Sequence, residues 1–423
     1  MTLSRGARRY TMVVLAIVYM FNFVDRQILA ILLPAIRDEF QVGDTILGFL
    51  SGTAFALFYV TLGIPIAQVA DRWNRRNLIA AAVMIWSGMT AVSGLAANIV
   101  HLTLARIGVG IGEAGCSPPA HSMIADMYPP QQRATAMGFY TLGISAGIML
   151  AYLAGGWVAQ NIGWRQAFFV VGIPGLLLAA IVRFTVPEPS RGASESRVDG
   201  GESPRLLVVL KFLLARKSFV HMGVAAGLSA FVGYAVINFL PSYIVRSFGM
   251  GLAELGFWLG IIIGIAGGFG FFVGGYIADK VGGEKRQRAF QFLAFAMLVA
   301  AACGAAVYLA QSAFWCLLIL IVPTIISNFY LAPVLAQAQS LVSLRMRSVA
   351  SALILLLINI IGLALGPLLT GLLSDILNPS FGDESMRYSL LIVNCVVLPW
   401  AAVHYVLAGR SVDADLVHAS DLD

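Results

Sequence analysis

Residues 67–76 read Ala67-Gln-Val-Ala-Asp71-Arg72-Trp-Asn74-Arg75-Arg76, and residues 275–286 read Gly275-Tyr-Ile-Ala-Asp279-Lys280-Val-Gly282-Gly283-Glu-Lys285-Arg286. Both stretches close a long apolar run, and both set an acid, a base and a turn-forming residue at one spacing. Asp71 and Asp279 lie 208 residues apart, close to half of a 423-residue chain. A repeat at that interval reads as an internal duplication.

The runs on either side of these stretches decide the class of the chain. Hydrophobic residues make up 59% of it and charged residues 11%, whereas an ordinary soluble domain is about 25% charged. Too little charge is available to dress a water-facing surface, so the outside must face lipid. The 43 glycines agree, since membrane helices associate through small residues that let backbones approach. A net charge of +6 does not point to nucleic acid, because the bases form short clusters between apolar runs and no continuous stripe. Cys116, Cys303, Cys316 and Cys395 all fall inside apolar runs without CxxC spacing and read as packing thiols. The first apolar run is too long for a signal-peptide core and lacks a small-residue cleavage site, so it reads as a retained span.

A helix rising 1.5 Å per residue needs about 20 residues to cross roughly 30 Å of hydrocarbon. Twelve runs qualify, at 11–34, 46–70, 77–97, 102–124, 134–159, 166–186, 218–243, 253–278, 289–310, 313–339, 348–374 and 387–408. Lys and Arg collect on the cytoplasmic side of membrane proteins. With the N-terminus inside, 21 of the 27 lie in inner segments, and only Arg37, Arg165, Arg246 and Arg387 lie in outer loops. Both termini are therefore expected in the cytoplasm. The longest polar interruption divides the spans six and six. The expected organisation is a six-helix bundle over 1–186, a cytoplasmic linker over 187–217 and a second six-helix bundle over 218–423. Residues 203–217 open Ser-Pro and carry bases beside Leu and Phe, which suits a helix on the inner membrane surface or a solvated spacer.

These residues carry a resemblance. Asp71 to Arg76 and its echo at Asp279 resemble the loop motif of the major facilitator superfamily, and Arg106-Ile-Gly-Val-Gly110-Ile-Gly112 resembles that superfamily's fourth-helix motif. Within it, Asn22-Phe-Val-Asp25-Arg26 and Gly110-Ile-Gly112-Glu113-Ala114 are similar to the spinster family, whose animal members export sphingosine phosphate or move lysophospholipids. Related anion symporters also carry an Asp-Arg pair in the first helix, which keeps a sugar acid or another organic anion open as substrate. The resemblance implies a secondary transporter of two pseudo-symmetric six-helix bundles, in which halves rock about a site near the bilayer midplane. It also implies gating contacts by Asp71 and Asp279 at the inner ends of spans two and eight. With them go Arg72, Arg75 and Lys280, and Asp126 and Arg133 flanking the next short loop. The chain departs from the pattern at Ala67 and Asn74, where the motif prefers Gly, and span five lacks a Gly-Pro pair. Antiport and symport both stay open.

Ionisable side chains inside spans are expensive and therefore functional candidates. Four stand out: Asp25, Arg26, Arg106 and Glu113. Arg106 and Glu113 are two turns apart and share a face, whereas adjacent Asp25 and Arg26 point about 100° apart. Pairing Arg26 with Glu113 and Asp25 with Arg106 across helices would neutralise the set. Protonating either acid would then free a guanidinium fork, which suits phosphate or carboxylate. Proton coupling through Asp25 or Glu113 and headgroup binding by Arg26 and Arg106 are the expectation, with the choice of acid open. The second half has no acid or base near the midplane, and its polar groups there are the amides Asn238, Asn328 and Asn359 among Phe, Leu, Ile and Pro, which suits a substrate with a charged head and an apolar tail. A purely structural role for each of these residues is the competing reading.

Other signals are weaker. Gly110-Ile-Gly112-Glu-Ala-Gly115 matches a dinucleotide-loop pattern but sits inside an apolar span with no preceding strand. Neither a Walker A sequence nor an HExxH is present, so ATP drive is unsupported, and a lipid-modifying enzyme lacks the clustered nucleophile and base or the metal set it would need. His121 and His404 read as lone packed side chains, and His101 and His221 lie near span ends. The expected partners are the lipid bilayer, protons and a small amphiphilic or anionic substrate, with the proton gradient as energy source and no cofactor or metal. A monomeric, multi-pass protein of a bacterial inner membrane is the expected setting.

Overall fold

The computed structural model describes residues 3–191, 206–282, 286–342 and 346–417. Among these residues the chain is helical almost throughout and forms no strand. Twelve long helical rods follow in order among them.

α1 (Arg5–Phe40) begins where the Ser4 hydroxyl accepts the backbone N–H of Ala7, an N-terminal cap. The second rod is interrupted: α2 (Asp44–Gly48), a π turn at Phe49–Thr53 and α3 (Ala54–Arg72). α4 (Arg75–Ser93) and α5 (Ile99–Glu113) start at Asn74 and Asn98, whose side chains accept the N–H groups of Asn77 and His101. α5 meets α6 (Ser117–Met127) at a turn over 114–116. Pro118 and Pro119 open α6, where the first turn has no partner for an N–H. α7 (Pro130–Asn161) and α8 (Trp164–Thr185) complete the first half.

The second half starts with the short α9 (Leu206–Leu214), whose Val209 and Leu213 are buried while Val208 and Leu214 are exposed. Residues 203–205, where the sequence suggests that helix begins, lie outside the described residues. α10 (Lys217–Phe248) stops at Gly249, whose φ of 65° is the left-handed cap glycine accommodates. α11 (Leu252–Ile261), a π turn at Ile262–Ala266 and α12 (Gly267–Gly282) form another interrupted rod, followed by α13 (Arg286–Leu309). α14 (Ala313–Ile326) and α15 (Leu331–Ser340) flank a turn at 327–330. α16 (Arg347–Leu357), a π turn at Ile358–Ala364 and α17 (Leu365–Phe381) precede α18 (Ser385–Val417).

Ten stretches of the described residues are long and apolar enough to cross a membrane. The last, Val349–Leu416, contains two rods joined at Gly382–Glu384, and the 19-residue α4 stands outside the ten. The duplication is visible in the interruptions. The interval separating the π turns that open at Phe49 and Ile262 also separates the breaks that open at Ala114 and Ser327.

Two compact units are formed, one of residues 1–42, 49–200 and 250–264, the other of 43–48, 201–249 and 265–423. Inside the first, α1 packs on α7 through glycine: a Cβ at Gly147 would collide with the Met20 carbonyl oxygen. α11 packs on α7 in the same way, Gly256 lying against the Tyr152 carbonyl. Inside the second unit, α10 packs against α17 and α18. Such backbone approach, rather than apolar burial alone, is what associates helices in lipid.

A buried charge cluster as candidate functional site

The site in the first unit is built where α1, α3, α4 and α5 meet. Two glycines of α5 set the distances. A Cβ at Gly110 would meet the Phe55 carbonyl oxygen at 2.7 Å, and one at Gly112 would meet the Trp86 backbone nitrogen at 2.6 Å. α5 therefore lies directly on α3 and α4, with Arg106 one turn before Gly110 and Glu113 directly after Gly112. Asp25, Arg106 and Glu113 are 0–1% exposed.

Arg26 reaches from α1 to Glu113 on α5, with Nη2 at 2.6 Å and Nε at 3.1 Å from the same carboxylate oxygen. The guanidinium is enclosed by aromatic rings, with Phe23, Phe55 and Tyr59 centroids 5.0, 4.8 and 5.0 Å away. Ring faces carry negative potential, so this cage holds a cation without adding a charge. Glu113 keeps its second oxygen, Oε1, buried without a hydrogen-bond partner.

Arg106 and Asp25 meet differently from the expected side-chain ion pair. Arg106 Nη1 donates to the backbone carbonyl of Asp25 at 3.0 Å, while its Nε and Nη2 make no hydrogen bond. The Asp25 carboxylate turns instead toward the Thr90 hydroxyl and the Trp86 indole of α4. None of these groups achieves a hydrogen bond of good geometry, and both Asp25 oxygens, Thr90 Oγ1 and Trp86 Nε1 are buried and unsatisfied. Helical spacing fixes which face a residue shares, not which neighbour its carboxylate turns to, so Thr90 and Trp86 carry no sequence signal. The aromatic cage is equally silent, because Phe55 and Tyr59 look like any residues of an apolar span.

The inner-gate candidates divide. The side chains of Asp71, Arg72 and Asp279 lie outside the described residues, and Lys280 is exposed on α12. Arg75 is a buried hub. Its Nη1 donates to Asp126 and, at 2.8 Å, to Ser122; Nε donates to Glu188 at 2.8 Å and Nη2 to the Pro189 carbonyl at 2.8 Å. Burial pulls this guanidinium down, but the hydrogen bonds and charges of Asp126 and Glu188 outweigh it and hold its pKa above the usual arginine value. Arg133 Nε donates to the carbonyls of Ala125 and Tyr128 and so closes the end of α6. Glu188, which the sequence places at the start of a linker, also accepts the Arg76 backbone N–H at 2.9 Å.

The three amides of the second half behave alike. Asn238, Asn328 and Asn359 each donate to the carbonyl four residues earlier, those of Tyr234, Thr324 and Leu355, at 2.8–2.9 Å. They do not bond across helices through these N–H groups.

A second buried ion pair, absent from the sequence reading, sits in the second unit. Asp44 of α2 binds Arg246 of α10 in a two-pronged contact of 2.5 and 2.7 Å. Ser374 of α17 donates to Asp44 at 2.7 Å. The neighbouring Asp375 accepts the backbone N–H groups of Asp44 and Thr45 at 2.8 Å and the Thr45 hydroxyl at 2.6 Å. Asp375 thus caps α2 from another helix. Next to a span boundary these charges look like ordinary loop residues.

Comparison with known proteins places this architecture. Residues 15–367 match the model of the Major Facilitator Superfamily. An MFS-type efflux pump of Mycolicibacterium smegmatis is 30% identical over 96% of this chain and 93% of its own length. A hexuronate transporter of Bacillus subtilis is 25% identical over 70% of this chain and 74% of its own. A crystal structure of a bacterial homologue of the human lysosomal transporter Spinster, inward-facing and unoccupied, superposes with a TM-score of 0.88. It is 30% identical and covers 98% of this chain and 99% of that one.

Proposed function

Because this chain belongs to the major facilitator superfamily and is spinster-like along its whole length, we propose that it is a proton-coupled secondary transporter of an amphiphilic anion, working by alternating access. That it is a multi-pass membrane transporter follows from family and fold. The coupling and the substrate are our reading. One observation carries it: Arg26 is tied to Glu113 while Asp25, one residue earlier, is a buried carboxylate with no hydrogen bond of its own.

A proton on Asp25 would remove a buried charge that no hydrogen bond of good geometry compensates. Protonation of Glu113 would release the Arg26 fork inside its aromatic cage. A phosphate or carboxylate headgroup entering there would replace the lost negative charge. Proton and anion would then occupy the cluster together, and Asn238, Asn328 and Asn359 are assigned as polar groups among the apolar residues of the second half. Asp71, Arg72, Arg75, Asp126, Arg133, Asp279 and Lys280 are assigned to the cytoplasmic gate. Both termini are placed in the cytoplasm of a bacterial inner membrane by the distribution of Lys and Arg, and the working unit is taken as a monomer.

The test is flux in proteoliposomes under an imposed pH gradient, with lysophospholipids, sphingosine phosphate and sugar acids offered in turn. Gradient-driven transport is expected for a lysolipid or sphingosine phosphate, and Asp25→Asn or Glu113→Gln should uncouple it. Unchanged coupling in both variants would overturn the assignment. A second reading, symport of small organic anions such as sugar acids, is favoured by the similarity to the hexuronate transporter and would be selected by flux of sugar acids alone.

A further inference from the structure

His404 is not the lone packed side chain it resembles in sequence. In the second unit its ring, on α18, faces that of His221, one turn into α10. The two Nδ1 atoms are 3.0 Å apart, and the ring centroids are 5.1 Å apart with planes tilted by 53°. A neutral imidazole has one N–H and one lone pair. Two Nδ1 atoms at this distance either share one proton or turn two lone pairs toward one small cation. With metal–nitrogen bonds of about 2.0–2.1 Å, two neighbouring ligands stand about 2.9 Å apart at a right angle and about 3.4 Å apart at a tetrahedral angle. The observed separation falls inside that range.

Both rings are half-buried, so water can fill the remaining positions. Trp400, half exposed, lies 6.2 Å from His404. The neighbouring charges are balanced elsewhere. Asp415 of α18 accepts the Ser218 backbone N–H at 2.8 Å and offsets Arg216. Lys211 of α9, Lys217 at the start of α10, and Arg410 and Asp413 near the end of α18 are the other charged groups at these ends, whereas Arg246 and Arg387 lie at the far ends of α10 and α18. Among the described residues no third His, Cys, Asp or Glu joins the pair. Imidazole favours zinc, nickel and copper over magnesium and calcium.

We propose that His221 and His404 form a two-histidine site for a borderline divalent cation, zinc, nickel or copper(II), that fastens α10 to α18 with water completing its coordination.

The full chain, purified without a histidine tag and stripped of metal, provides the test. One equivalent of copper(II) should give an electron paramagnetic resonance spectrum with two coordinated imidazole nitrogens. Zinc should raise Tm with the logarithm of its concentration while magnesium leaves it unchanged. His221→Gln and His404→Gln should each weaken zinc binding roughly tenfold or more, the size of effect even an outer-shell partner has. A Tm insensitive to zinc, a copper spectrum with one nitrogen or none, or binding undiminished in both variants would overturn the proposal. Should a variant fail to fold, the wild-type copper spectrum decides alone.

Discussion

Arg106 donates to the backbone carbonyl of Asp25 at 3.0 Å and leaves the carboxylate of that residue without a hydrogen bond, although both side chains are fully buried. An unsatisfied buried carboxylate opposes folding. Asp25→Asn keeps the shape and removes the charge, so it is expected to stabilise the protein by about 1–3 kcal/mol while abolishing proton-driven flux. Thermal unfolding and flux measured on the same preparation check this. Lower stability would mean that the carboxylate makes a structural contact after all.

Glu113→Gln should act in the opposite sense on stability. It leaves Arg26 with a neutral amide in place of its ionic partner, in a site nearly closed to water. Removing one member of a buried pair costs about 3–5 kcal/mol. The cation–π cage of Phe23, Phe55 and Tyr59 recovers part of that, so a value at the low end is expected. Adding Arg26→Met to Glu113→Gln should restore much of the stability, as measured by unfolding of the single and double variants.

What the sequence showed and what it hid follow one rule. Asp25, Arg26, Arg106 and Glu113 were legible because ionisable groups inside apolar runs have few innocent explanations. Asp44, Glu188 and Arg246 are at least as important to the packing, yet charges at span ends are ordinary, so composition cannot separate a buried clasp from a wetted loop. Tertiary direction was hidden too. The charges suggested that Asp25 would take Arg106, but the carboxylate turns to Thr90 and Trp86 on α4. The π turns at Phe49–Thr53 and Ile262–Ala266 add a residue to one turn and rotate all that follows, which a fixed 100° per residue does not anticipate. His221 and His404 became a pair only when α10 and α18 were seen side by side.

Arg75 offers a sharper test of geometry than of charge. Its fork addresses Asp126, Ser122, Glu188 and the Pro189 carbonyl from three nitrogens at once. Lysine keeps the charge but concentrates its donors on one atom. Arg75→Lys is therefore expected to lose about 3 kcal/mol, nearly as much as Arg75→Ala, in chemical denaturation of the solubilised protein. A lysine variant as stable as wild type would mean that charge alone holds this corner together.

Asp44 and Arg246 are 2% and 7% exposed and share a two-pronged contact that Ser374 extends. If the pair acts as one unit, Asp44→Ala strands the arginine and Arg246→Ala strands the aspartate, each losing about 3–5 kcal/mol. The double variant strands neither and should lose clearly less than the sum, giving a coupling energy of about 1–3 kcal/mol in a double-mutant cycle. Ser374→Ala removes one supporting hydroxyl and should cost about 1 kcal/mol on its own. In the Asp44→Ala background that hydroxyl has no carboxylate left to serve, so the same change should cost less. Additive losses throughout would mean that Asp44 and Arg246 are close without supporting each other.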